Sequence, residues 1–300
     1  MSKASLTLPG IGSVTSVSTR EQLLARLDFT LRYTIALCFI GHGFWGIVSK
    51  QAWVGLITPM GFSDGFALAS LPIVGWLDVI LGILVIFQPN KAWLWKALTW
   101  TVFTACLRPL AGMSFFEVPE RAGNFGMPLA FLVLIFFLTP KKSFFEKISL
   151  KDADAELLTD DKIKTMKLIM QWSVGLLLIG HGGLLAVAQK SMYVEHLSVL
   201  SITGTPQVLQ AIGIFEIILG VIAIIKPSIS LIWFILVWKL FTESLYPFAG
   251  KAVDIFETIE RWGDYGGPVA LLLILYFMKS NKGSVRELSK DDLRPAHSSE

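Results

Sequence analysis

Charge is what this 300-residue chain has least of: 16% of its residues are charged against 53% hydrophobic, and its mean hydropathy is +0.62. A soluble domain carries about 25% charged residues, so there is too little polar material here to coat a globule of this size, and a lipid environment is implied. Cysteine is almost missing as well. Cys38 and Cys106 cannot frame a disulfide scaffold, and no Cys-x-x-Cys or Cys-x-x-Cys-His pattern offers a thiol redox pair or a haem attachment point. Neither a Gly-x-Gly-x-x-Gly turn after a strand nor a Walker loop occurs, which leaves nucleotide binding without support. The basic residues are scattered and the net charge is only +3, which speaks against a nucleic-acid surface. Met1 to Thr19 is polar and has no apolar core, so a secretory signal is not expected.

Long apolar runs are present in quantity. A ~30 Å hydrocarbon layer takes about 20 apolar residues as a helix. Spans are expected near residues 30–48, 71–87, 92–113, 127–138, 168–188, 208–225, 229–249 and 268–278, the fourth and eighth borrowing turns from the segments before them. Between the two sets of four, residues 140–167 hold seven Lys and six Asp/Glu and read as a solvated linker. The expected organisation is a cytoplasmic N-terminal segment (1–29), a first four-helix membrane repeat (30–139), a charged cytoplasmic linker (140–167), a second four-helix repeat (168–279) and a polar cytoplasmic tail (280–300). Lys and Arg cluster before the first span, around the second turnaround and in the linker and tail. That places both termini in the cytoplasm.

Four blocks recur in order at offsets of 138 to 140 residues. Gly41-His42-Gly43 returns as Gly180-His181-Gly182. Gly75 to Gly82, with Asp78 inside it, returns as Gly213 to Gly220, with Glu216 inside it. Leu107-Arg108-Pro109 returns as Leu245-Tyr246-Pro247, and Glu120-Arg121-Ala-Gly123 as Glu260-Arg261-Trp-Gly263. An even number of helices per copy gives both copies the same orientation, so the expected fold is an all-α membrane protein of eight transmembrane helices, two parallel four-helix repeats lying side by side.

Intramembrane charges are expensive, usually face a bundle interior and usually have partners. His42 lies roughly 12 Å and Asp78 roughly 10 Å below the outer surface at 1.5 Å per residue, so the two share a layer; Arg108, only ~5 Å below it, can reach down to Asp78 or up to water. His181, Glu216 and Glu243 form the matching layer of the second copy, with Lys239 one turn from Glu243 as an i,i+4 partner. The candidate catalytic residues are therefore His42, Asp78, Arg108, His181, Glu216 and Glu243; no metal is expected. The bland alternative is that each imidazole–carboxylate pair only holds helices together, worth ~0.6 kcal/mol. The glycines seven apart suit helix packing. Each Glu-Arg dipeptide, preceded by an amphipathic stretch at the outer surface, is expected to pair with groups elsewhere, because neighbours on a helix point to different sides.

Gly-His-Gly in the first helix, an acid-x-x-x-Gly pattern in the second (Asp78/Gly82, Glu216/Gly220) and a polar turn before the fourth resemble the DoxX-like family, including its DoxD type. The resemblance covers residues 30–138 and 168–278. It implies a bacterial cytoplasmic (inner) membrane protein with a link to quinone chemistry; with no redox motif in the chain, electrons are expected from a redox partner protein or directly from an outer-side substrate. On that footing the chain reads as a quinone-linked redox component, the His/acid groups binding a quinone and carrying its protons. A small-solute or proton-coupled transporter, or a membrane scaffold or assembly protein, is the alternative.

Overall fold

Ser63, Asn90, Thr159, Thr205 and Ser228 each turn a side-chain oxygen back onto the amide three residues on, satisfying one of the four N–H groups that the start of a helix leaves without partners. These caps open five helices of a computed structural model that describes the backbone of residues 11–150 and 153–291, and the side chains of 19–150 and 153–281. In chain order the helices are α1 (Ile11–Ile47), α2 (Val54–Ile57), α3 (Asp64–Phe87), α4 (Lys91–Leu110), α5 (Glu117–Glu120), α6 (Ala122–Leu138), α7 (Asp160–Ala186), α8 (Ser191–Val199), α9 (Pro206–Ile225), α10 (Ile229–Glu243), α11 (Tyr246–Ala249), α12 (Ile255–Glu260) and α13 (Gly263–Asp291). No strand occurs among the described residues.

Among the described residues four stretches are long and apolar enough to cross a membrane: α3, α7, α9 and Ile229–Ala249, which joins α10 to α11. The apolar α6 is shorter. Large apolar side chains stay exposed along one side of α3 (Ile73, Trp76, Leu77, Ile80), of α9 (Ile214, Ile218, Val221, Ile225) and of α10 (Trp233, Val237, Leu240). Contiguous apolar surface on this scale needs cover, and acyl chains supply it. Helix α7 is the opposite case: Met170, Val174, Leu177, Leu178 and Leu184 are all buried, and it runs through the centre of the molecule.

Two helix crossings set the frame. In α3 a Cβ on Gly75 would lie 2.5 Å from the Gly43 carbonyl oxygen of α1. In α9 a Cβ on Gly213 would lie 2.5 Å from the Ala186 amide nitrogen of α7. Only a missing side chain allows backbones to approach this closely, and the small-residue spacing read from sequence serves this contact.

The outer segments are more structured than their composition suggests. α1 starts well before residue 30, and Leu23, Leu24 and Leu27 are buried in the same core as Phe131 and Ile135 of α6. The segment 140–167 is not simply solvated: Ile148, Leu150, Leu158, Ile163 and Met166 are buried in that core too. Their irregular spacing in a charged stretch hides them from any periodicity test. Helix α13 continues past residue 279 to Asp291.

Candidate functional site

The hairpin of each half is seated on the other half. In α7, Gly180 has no side chain, and the backbone of Glu120 in α5 occupies the space a Cβ would fill; at Gly183 the ring of Phe116 does the same. Reciprocally, a Cβ on Gly41 of α1 would lie 2.6 Å from Cα of Glu260 in α12, and Phe44 stacks on Phe256 with ring centroids 3.6 Å apart. The two turns cross where Gly123 and Gly263 touch backbone to backbone. The halves therefore interlock through exchanged hairpins, where the sequence suggested bundles that merely adjoin.

Matching guanidinium forks hold both hairpins. Nη1 of Arg121 donates to the Glu117 carboxylate at 2.7 Å, to the Glu117 carbonyl at 2.9 Å and to Glu120. Nη1 of Arg261 donates to the Glu257 carboxylate and carbonyl, both at 2.9 Å, and to Glu260 at 3.0 Å. Adjacent Glu and Arg do pair here, contrary to the helical expectation, because α5 and α12 end at the Glu and the Arg sits in the turn that follows, out of helical register. Lys190 adds a second cation at Glu117, and Lys50 one at Glu257. Burial pushes the Glu117 carboxyl up, but Arg121, with Lys190 and Arg108, more than offsets that and Glu120's repulsion, holding it below the ordinary carboxylate range.

These hairpins carry acid to the partly buried His42 and the buried His181. Nδ1 of His42 lies 3.8 Å from Oε2 of Glu260. Nε2 of His181 has no hydrogen-bond partner and faces three carboxylates: Glu243 at 3.4 Å, Glu120 at 3.7 Å and Asp264 at 3.8 Å; its Nδ1 meets the Tyr193 hydroxyl at 3.3 Å. The set His181, Glu243 and Asp264 has the composition of a divalent-metal site. Its cation, however, is an ammonium: Lys239, fully buried, donates to Glu243 at 2.5 Å, as the i,i+4 spacing foretold, and lies 3.3 Å from Asp264.

Counting charges across this network isolates two groups. Glu117, Glu120, Glu243, Glu257, Glu260 and Asp264 are met within 4.0 Å by Lys50, Arg108, Arg121, Lys190, Lys239 and Arg261, six against six. Such matching is what lets charge be buried at all. Asp78 and Glu216, both buried, have no cation within that distance among the described residues. A tryptophan shares the cavity of each. Trp100 lines the same cavity as Asp78, and the Nε1–H of Trp238 donates to Oε1 of Glu216 at 2.7 Å, leaving Oε2 buried without a partner.

Both acids open onto cavities. One, of about 280 Å³, is lined by His42, Asp78 and Arg108 with the aromatic rings of Trp53, Phe66 and Phe103. The other, of about 300 Å³, is lined by His181, Glu216 and Glu243 with Tyr193, His196 and Trp238. The six residues singled out from sequence thus fall three to a cavity. One expected contact is replaced: Arg108, partly buried, forms no ion pair with Asp78 but lies 3.6 Å from Glu117 of α5.

Sequence reasoning passed over Trp100 and Trp238, although they stand 138 residues apart like the recurring blocks, and over Tyr193 and Asp264. No family model matches the chain, and neither the curated proteins nor the solved structures compared with it give a match.

Proposed function

We propose that this chain is a DoxX-like membrane protein whose eight helices form two parallel repeats in a bacterial cytoplasmic membrane, with both termini in the cytoplasm. We further propose that it is a quinone-linked redox component, each repeat offering a site for a quinone-type molecule: lipophilic, with polar ring oxygens. The carrying observation is that the two buried carboxylates that have no cation within 4.0 Å among the described residues, Asp78 and Glu216, each line an aromatic cavity beside a histidine. A structural ion pair needs both charges present; a carboxylate held by one indole N–H keeps an oxygen for something else.

A quinone, when bound, supplies the two-electron chemistry, and two protons accompany it. The protein's part is to hold and hand over those protons. Glu216 can accept at Oε2 while Trp238 fixes its other oxygen, and His181, flanked by Glu120 and Glu243, lines the same cavity as a second proton-exchanging group. Trp53, Phe66 and Phe103 in one cavity, and Trp238 in the other, offer flat faces to a ring and keep water out. Electrons come from a partner or directly from an outer-side substrate, because the chain has no redox motif of its own.

Trp53, Trp100 and Trp238 provide the readout. Titrating a short-chain benzoquinone into the purified protein should quench tryptophan fluorescence saturably. His181→Ala and Glu216→Gln should each weaken the second-cavity phase about tenfold, the scale of one lost buried hydrogen bond. Equal binding in the wild type and both variants defeats the proposal.

A further inference from the structure

Midway along α1, on the N-terminal side of His42, lies a cleft of about 1030 Å³, larger than either cavity described above. Its walls are α1 (Arg26, Asp28, Phe29, Arg32), the end of α3 (Ile86, Phe87) and the segment after α6 (Lys142, Lys147). Two kinds of cation meet there. Arg32 is committed to the fold: it clasps both oxygens of Asp28, at 2.6 and 2.7 Å, and donates to the Ile86 carbonyl at 2.9 Å, satisfying one of the free carbonyls in the last turn of α3. Arg26 and Lys147 are exposed and have no acidic partner among the described residues. With Asp28 already neutralised by Arg32, the free charge of the cleft is positive.

Below these cations the surface is apolar and open. Phe29 is 62% and Phe87 65% exposed, and Tyr33 packs against Phe29 with ring centroids 4.4 Å apart. Phe87 ends the same α3 whose apolar side is bare, so the cleft runs without a break into the surface expected to meet acyl chains. A ligand that fits must be anionic at one end and hydrocarbon at the other. A small soluble anion would leave the aromatic floor uncovered, and an uncharged lipid would leave Arg26 and Lys147 without a counter-ion.

We infer that this cleft is a binding site for an anionic phospholipid, its phosphodiester between Arg26 and Lys147 and an acyl chain along Phe29, Tyr33 and Phe87. The inference does not depend on the quinone reading, since no residue of either cavity takes part.

The test uses the full chain purified in a maltoside detergent, with bound lipid counted by native mass spectrometry and the unfolding midpoint followed on adding lipid. Phosphatidylglycerol should bind and raise the midpoint, and phosphatidylcholine with the same acyl chains should do neither. The double variant Arg26→Gln/Lys147→Gln, which alters two exposed side chains and so should fold normally, should lower phosphatidylglycerol affinity about thirtyfold, from about 1 kcal/mol per basic residue near a lipid headgroup. Phe29→Ala should weaken it without changing its dependence on salt. Equal binding of the two lipids, or undiminished binding in the double variant, overturns the inference. So does equal protection by glycerol phosphate or inorganic phosphate, which would make the cleft a small-anion site.

Discussion

Placing a valine at Gly180 tests the exchanged hairpins directly. The space a Cβ would enter is filled by the amide nitrogen and Cα of Glu120, backbone atoms that cannot swing aside as a flexible side chain can. Accommodating valine means pushing α5 outward by about 1 Å or more from α7, against the Arg121 fork that ties the hairpin together. Overpacking of this kind costs typically 1–3 kcal/mol, and a rigid obstruction belongs at the upper end. Helix propensity hardly enters, since valine and glycine differ by only a few tenths of a kcal/mol in a helix. At about 2–4 °C per kcal/mol for a chain of this order, Gly180→Val should lower the unfolding midpoint in detergent by roughly 5–10 °C. Gly41→Val, facing Glu260, should behave alike. Gly65→Val is the control, because a Cβ at Gly65 meets nothing within 4 Å. If all three variants melt together, the hairpins do not sit where they are described and the composite histidine sites lose their basis.

Two further outcomes follow from the buried charges. Lys239→Met strips the cation from Glu243 and Asp264 and should destabilise by about 3–5 kcal/mol, whereas adding Glu243→Leu should recover part of that loss; differential scanning calorimetry of both variants checks this, and an unimpaired single variant would contradict the pairing. Glu117 is held below the ordinary carboxylate range, so its stabilisation is present above about pH 4.3, the unfolded value, and is lost as pH falls through the folded one. Glu117→Gln should therefore be less stable at neutral pH and lose less on acidification, read as the slope of midpoint against pH; an acid limb as steep as the wild type's would argue against the depressed carboxyl.

The apolar runs and the charge deficit made a helical membrane protein legible from composition, and spacing placed His42 with Asp78 and His181 with Glu216. Those pairs lie on helices that are neighbours in sequence, where counting residues fixes depth. Contacts between the halves were out of reach, because nothing in the run Glu117 to Arg121 says which surface it will meet, and Gly180 stood out only as part of the recurring Gly-His-Gly block. Trp100 and Trp238 were hidden for another reason: tryptophan near an interface needs no explanation, so a place in a cavity beside a carboxylate, and for Trp238 a role as donor to it, shows only in the fold. Asp264 was lost inside a motif taken to be a turn, whereas it begins α13 and faces Lys239.

The crossing of the hairpins also bears on how the chain is made. Glu117, Glu120 and Arg121 leave the ribosome before Gly180, the groove that receives them, has been synthesised. Until α7 is inserted, those three charges have no seat and must wait in water or in the care of an insertase. A nascent chain stopped at the linker would hold an exposed, half-neutralised acidic loop, a natural mark for quality control.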